Sequence, residues 1–433
     1  MKASAATLPI CLWAAAAAGI ASAAPAPLEA ESRPTAIEDQ SIPGWDEFVD
    51  SLRQAAPQAL QKLTPGQRAD PQYRAEVGRL LHEALAARSL DAISADPQHP
   101  QFLPTLNPTF NVFQPNADTI YKRTEIEPGG TYRLVGVRGS ATIAKIGQQV
   151  MVPMEQRSTP AATKGYFDLN SLPVDKEGRY ELIISPERPA GYKGAWWKLE
   201  PDVNSLGLRQ VASDWHREVD PSIAIERLDR PVVRPRPSVA DLDQRLRTLG
   251  SRTAATALTF IDHAQQLRHD GYENRLREFD TSQLAGLTGQ FYYEGAYRLK
   301  DDEALILSSP VPAGCSYYST ILTNDIYETT DWVNNHSSLN DAQSQVDPDG
   351  VLRIVISARD PGVANWLDTA GYPTGVIQGR WTDCKAQPIP TLMLVRLADV
   401  AARLPASTAH VTPAQREAKT RARRLDFLLR RQW

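Results

Sequence analysis

Gly178-Arg-Tyr-Glu-Leu-Ile-Ile-Ser-Pro-Glu-Arg-Pro189 decides the fold, because the chain holds it again as Gly350-Val-Leu-Arg-Ile-Val-Ile-Ser-Ala-Arg-Asp-Pro361, 172 residues later. In each copy a glycine opens an alternating apolar run that closes on Ile-Ser and then on a proline. Tyr180, Leu182 and Ile184 fall on one face of the first copy and Arg179 and Glu181 on the other, while Leu352, Ile354 and Ile356 repeat the pattern. A period of two marks half-buried antiparallel strands, as in sandwiches and jelly rolls; strands of a parallel sheet read as uniformly apolar. The same offset pairs Tyr121 with Tyr293 and Leu134 with Ile306. Trp196-Trp197 and Arg209 find counterparts in Trp366 and Arg380 with a drift of one to three residues. So long a period excludes a solenoid. The expected fold is a β-rich α+β chain: two homologous jelly-roll-like antiparallel β-sandwich modules with helical amino-terminal, linking and carboxy-terminal segments.

The 433 residues suffice for two domains, and 42% apolar with 23% charged residues is ordinary for a water-soluble protein. Lys2, an apolar run from Ile10 to Ile20 and Ala21-Ser22-Ala23 form the pattern of a secretory signal cleaved after Ala23, so a periplasmic or secreted protein is expected. That run is too short to span a bilayer, and no membrane insertion of the mature chain is expected. Cleavage removes Lys2 and leaves 46 basic against 51 acidic residues, a net charge of −5. With no basic block, nucleic acid is not an expected partner. Two cysteines remain, Cys315 and Cys384. A disulfide and two separate buried thiols are both open readings.

Residues 24–42, rich in Pro, Ala, Glu and Ser, read as a flexible leader. A helical segment over 43–106 follows, with helices over about 44–63 and 72–94. Val77, Leu80, Leu81 and Leu85 give the second one an apolar face suited to packing on a sheet. The first β module is expected over 107–237, a helical connector over 238–289, opened by a capping box at Ser238 and Asp241, and the second module over 290–404. A carboxy-terminal helix over 405–433 carries Arg421, Arg423, Arg424, Arg430 and Arg431, read as a solvated basic face on a docking helix.

No serine-nucleophile elbow, phosphate-binding loop, dinucleotide fingerprint or HExxH occurs, and the seven histidines show no ligand spacing. No metal and no organic cofactor is therefore expected. Four clusters carry the remaining chemistry. Asn116, Asp118 and Tyr121 follow Pro115; they either cap a turn or present an amide, a carboxylate and a phenol to a ligand. Asp214 and Glu218, four apart, would share a helical face, either as an acid/base pair or as ion-pair partners of Arg217 and Arg227. Trp196-Trp197 with Arg209, and Asn365-Trp366 with Arg380-Trp381, suit stacking on a flat ring and holding a carboxylate; they equally suit a core plug common to both modules.

The runs Pro115 to Tyr121, Asp214-Trp215 through Glu218 to Ile225-Glu226-Arg227, and Asn365-Trp366-Leu367-Asp-Thr-Ala-Gly371 leading to Arg380-Trp381 resemble the tandem bacterial domains of unknown function numbered 1254 and 1214. The likeness spans about Asn107 to Leu404 and is most specific in the second domain. In the first, Lys122-Arg123 stands where the family often has serine and small residues. The resemblance implies an exported protein of two jelly-roll-like modules and supplies no established reaction. The leading expectation is a small organic or saccharide-like ligand held between the modules: Asn116, Asp118, Tyr121 and Asn365 for polar contacts, Trp366 and Trp381 for stacking, and Arg380 for an anionic group. If the chain is an enzyme, it is expected to be a cofactor-independent hydrolase or lyase using Asp118 or the Asp214/Glu218 pair. The competing expectation is a non-catalytic envelope protein that binds a glycan or protein partner through a sheet face.

Overall fold

The computed structural model describes residues 41–152, 162–280, 287 and 289–433. The expected secretory signal and nearly all of the expected leader lie outside the described residues. The first module holds β1 (Leu103–Leu106), β2 (Thr119–Glu125), β3 (Tyr132–Val137), β4 (Ile143–Val150), β5 (Ala162–Asp168), β6 (Arg179–Ser185), β7 (Trp196–Lys198), β8 (Ser205–Val211) and β9 (Ser222–Arg227). The second holds β10 (Arg277–Glu278), β11 (Gln290–Arg298), β12 (Glu303–Pro310), β13 (Tyr317–Leu322), β14 (Ser338–Asn340), β15 (Val351–Ser357), β16 (Trp366–Asp368), β17 (Thr374–Thr382) and β18 (Thr391–Arg396).

Sheet order demonstrates the duplication. The first module pairs a sheet β1-β2-β8-β4-β5 with a sheet β7-β6-β3-β9, and the second pairs β10-β11-β17-β13-β14 with β16-β15-β12-β18. Adding nine to each strand of the first module gives the second, with the strand interleaving of a jelly roll. The ladders also refine the sequence alignment. Leu134 lies opposite Leu182 and Leu307 opposite Ile354, so the counterpart of Leu134 is Leu307 and not Ile306. Likewise Tyr121 lies opposite Arg209 and Tyr292 opposite Arg380, which makes Tyr292, not Tyr293, the partner of Tyr121. Ile306 instead packs on the outer face of its sheet with Val363 and Val400. β1 and β10 both precede the module starts expected at 107 and 290, because short edge strands carry little periodicity.

The repeated stretch owes its residues to one local design. Gly178 and Gly350 have φ of 76° and 80°, a left-handed conformation that costs glycine nothing, and each closes a turn by donating to Asp175 or Asp347. Leu182 and Ile184, or Ile354 and Ile356, then point between the two sheets of their module. The closing serines are buried and serve the tryptophans: Trp196 Nε1 donates to Ser185 Oγ at 2.9 Å, and Trp366 Nε1 to Ser357 Oγ at 3.1 Å. β7 and β16 are thereby fixed in parallel beside β6 and β15.

Helices α1 (Trp45–Lys62), α2 (Pro65–Ala69) and α3 (Pro71–Ser94) precede the first module, and α4 (Val239–Arg247), α5 (Leu249–Leu258) and α6 (His263–His269) link the two. Ser238 and Asp241 form the expected capping box of α4. The apolar face of α3 packs mainly on other helices and not on a sheet: Val77, Leu80 and Ala84 meet Ala59 and Leu63 near α1, Ala257 and Ile261 near α5, and the loop residues Val112 and Ile326. After β18 come α7 (Val400–Arg403) and α8 (Pro413–Leu428).

Of the arginines read as a solvated face, Arg421, Arg424 and Arg431 are exposed, while Arg423 and Arg430 correct that reading. Arg416, Arg423 and Arg430, seven apart, are buried. Arg416 pairs with Asp360 and lies over the Trp366 ring of the second module. Arg423 lies over Trp215 of the first module and reaches Ser338 and Gln343 of the second. Arg430 pairs with Asp220 at 2.8 Å with both side chains 3% exposed. The helix is a strap across the two modules, held by its buried cations and by Phe427, which packs on Trp215 and Trp332. Cys315 and Cys384 are joined in a disulfide within the second module. No helix among the described residues is long and apolar enough to cross a membrane.

Candidate functional site

Strand alternation places two kinds of side chain on the five-stranded sheets. Leu206 and Leu208 of β8 and Ile377 and Trp381 of β17 point into their own module cores. Arg209 and Arg380, on the alternate positions, point the other way. Each sits opposite a tyrosine and over its ring: Arg209 lies 5.8 Å from the centroid of Tyr121, and Arg380 5.0 Å from that of Tyr292. Duplication has thus produced the same tyrosine–arginine pair twice. A cavity of about 720 Å³ lies between the modules and receives both pairs, with α3, α4 and α5 supplying further wall. That volume suits a small organic molecule.

Arg88, Arg123, Arg209, Arg252 and Arg380 line the cavity, and Glu125 is the one carboxylate among its described lining residues. The protein as a whole carries a net charge of −4, so positive charge is concentrated here. Among the described residues Arg380 has no ion-paired carboxylate. One nitrogen donates to Gln378 at 2.9 Å, and its Nε is buried without an acceptor. Burial disfavours its charge, but the phenols of Tyr292, Tyr121 and Tyr317 and the Asp118 carboxylate carry its pKa upward overall, so it is cationic at any working pH. Gln378 in turn donates to the Tyr327 phenol at 3.1 Å.

Three lining residues adopt left-handed backbone that side chains disfavour: Phe113 at φ 59°, Gln114 at 56° and Tyr327 at 68°. Each costs on the order of 1 kcal/mol. Tyr327 stacks on Phe260 at 4.9 Å, and Phe113 meets Phe260 edge-on at 5.9 Å, so the strained residues build an aromatic wall. The amide nitrogen of Gln114 is buried without a protein acceptor. Close by, His263 Nε2 lies 2.8 Å from Glu294, which also accepts from Arg277, so this buried acid has polar partners on both sides.

Of the residues expected from sequence, the structure brings Tyr121 and Arg380 together in the cavity wall. Asp118 lies beside it in the contact between the modules, 1% exposed, and accepts from Trp215 Nε1 at 2.9 Å, Tyr317 OH at 2.5 Å and Asn340 Nδ2 at 2.7 Å. Burial pushes its carboxyl above the ordinary range, against the pull of Tyr317, Arg423, Asn340 and Arg430. Asn116 donates to Tyr317 and Thr119. Asp118 and Asn116 therefore tie β2 to the second module. Glu218 accepts from Thr142, Ser213 and Asp214, and Asp214 from His216 and Arg217, which makes that pair a loop staple away from the cavity. Asn365 bonds Gln345 and Arg353 backbone. Trp366 lies between His336 and Arg416, and Trp381 is 1% exposed in the second core with Nε1 donating to Pro388. Neither tryptophan lines the cavity.

Sequence reasoning did not assemble Gln114, Tyr292, Tyr327, Arg88, Arg123 and Arg252. Only Arg209 carried a signal, as the duplicate of Arg380. Among the described residues no cluster of His, Cys, Asp or Glu is arranged to hold a metal ion.

No known family profile matches the chain, and no curated protein matches it. Among solved structures, an uncharacterized protein from Burkholderia cenocepacia is similar over 82% of this chain and 98% of its own, with 27% identity and a TM-score of 0.75. A protein from Vibrio parahaemolyticus covers 74% of this chain and 99% of its own at 13% identity and a TM-score of 0.40.

Proposed function

We propose that this is an exported protein whose activity is to bind a small organic anion, a carboxylate with a flat apolar body, in the cavity between its modules. The carrying observation is the charge of the cavity: among its described lining residues, five arginines stand against one carboxylate, inside aromatic walls, in an acidic protein. A guanidinium fork matches a carboxylate in bidentate fashion, and the phenyl and phenol rings suit the apolar body. Saccharide stacking on Trp366 and Trp381 is disfavoured because both are spent in packing. Binding fits better than turnover, since Asp118, Asp214 and Glu218 all lie outside the lining. Export accords with the amino-terminal pattern and with a disulfide that an oxidising compartment preserves. Membership of the tandem 1254/1214 family belongs to the same proposal and rests on the sequence motifs.

The test is a thermal-shift comparison of 4-methylbenzoate with its neutral amide, 4-methylbenzamide, on the parent protein and on Arg380→Gln. Carboxylate but not amide is expected to raise the melting temperature, and Arg380→Gln to abolish the rise. Equal shifts from acid and amide, or a response only to neutral oligosaccharides, would overturn the anion reading.

A further inference from the structure

Arg88 of α3, Arg123 of β2 and Arg252 of α5 converge on a single carboxylate, Asp91, at 2.9, 3.0 and 3.8 Å. Their side chains are 12%, 17% and 26% exposed, and that of Asp91 is 5% exposed. The bland reading is a staple that joins two helices to a strand. Asp91 of α3 with Arg123 and Arg252 would satisfy that, so Arg88, on the same helix as Asp91, is not needed for it; the three arginines exceed Asp91 by two positive charges, and counting Glu125 on β2 still leaves one. Excess buried charge is unfavourable unless an anion offsets it. Arg88 shows the crowding: burial, with Asp91 opposing and Arg123 and Arg252 adding to it, pulls its pKa down to about 10, and its Nε is buried without an acceptor.

The sheet links this cluster to the tyrosine–arginine pairs. Arg123 is two residues from Tyr121 on β2, hence on the same face and about 6.8 Å farther along. Its neighbours across the sheet are Gly207 of β8 and Gly147 of β4, over which lie the Gln149 side chain and the Tyr166 ring, both of which line the cavity. One cavity with an arginine station at each end, walled in part by aromatic rings, accommodates one rigid molecule better than two separate ions.

Resting on the anion reading above, we infer that Arg88, Arg123 and Arg252 form a second anion station, and that the ligand is a rigid dianion, a flat-bodied dicarboxylate with its charges at opposite ends. Arg209 and Arg380 hold one carboxylate and the Asp91 cluster the other. Titration calorimetry of the intact protein with terephthalate and 4-methylbenzoate tests it, since the two differ only in the second carboxylate. Terephthalate is expected to bind at least about tenfold more tightly, the effect of one added charge-assisted contact. Arg252→Gln, which removes the most weakly paired arginine, is expected to cut that ratio at least about fivefold, and Arg252→Lys to retain most of it. Equal affinities in the parent, or a ratio that survives Arg252→Gln, overturn the second station and leave the single-anion reading standing. Failure of both ligands to bind overturns the two readings together.

Discussion

Replacing Asp118 by asparagine separates a wall residue from a ligand residue. The carboxylate receives three donors: Trp215 and Asn340 on one oxygen and Tyr317 on the other. An asparagine oriented to keep the first two places its NH₂ against the Tyr317 hydroxyl, which already accepts from Asn116. The Tyr317 proton, in a side chain fully buried, then loses its acceptor at a cost of about 1–3 kcal/mol. The two remaining bonds fall from charged to neutral strength, and buried Arg423 loses the nearby carboxylate that favours its charge. Together these amount to about 3 kcal/mol. Relief of carboxylate desolvation, the reason its pKa is raised, returns about 1 kcal/mol. A net loss of about 2 kcal/mol, at about 2.1 cal/mol/K per residue across the body Ile42–Trp433, lowers the melting midpoint by about 2–3 °C. The assay is differential scanning fluorimetry with and without 4-methylbenzoate. The variant is expected to melt lower and to keep the ligand-induced rise. An unchanged midpoint with the rise abolished would refute the reasoning and place Asp118 in the ligand site.

Arg430→Gln should destabilise by about 3 kcal/mol, because it strands buried Asp220; adding Asp220→Asn should recover most of that in denaturant titrations. Burial and the neighbouring Glu328 carboxylate, opposed by Arg79, raise Glu83 from 4.5 to about 8. Across that window the folded state keeps a proton that the unfolded chain has released, so stability is greatest below about pH 4.5 and falls as pH rises through about 8. Glu83→Gln should flatten this part of the melting-temperature profile, and an unchanged slope would exclude Glu83 as its source. The Cys315–Cys384 bond closes a loop of sequence separation 69, for which chain entropy gives about 4 kcal/mol. Unreduced, alkylated protein beginning after Ala23 should show no free thiol by mass spectrometry, and reductant should lower the melting point.

The sequence by itself determined that this chain is built twice from alternating strands, because alternation and repetition are properties of neighbouring residues and survive without knowledge of what lies opposite. Gly178, Ile184 and Ser185 and their copies were legible as one unit for the same reason: the turn, the inward side chains and the serine that holds Trp196 or Trp366 are all local. Local pattern also fixed the helices up to their ends, but not what α3 packs on. Tertiary structure decided the rest. Arg209 and Arg380 alternate with core residues as any exposed arginine would; they meet because the outward faces of the two five-stranded sheets close on a shared cavity. Asp118 had the composition of a site residue, yet Tyr317 and Asn340, about two hundred residues away, claim its oxygens. Arg423 and Arg430 looked like part of a solvated face, because nothing in the sequence around them reveals Trp215 and Asp220 waiting beneath. A charged side chain's partner is set by distance in space, and with partners this far along the chain only the packed modules could supply that distance.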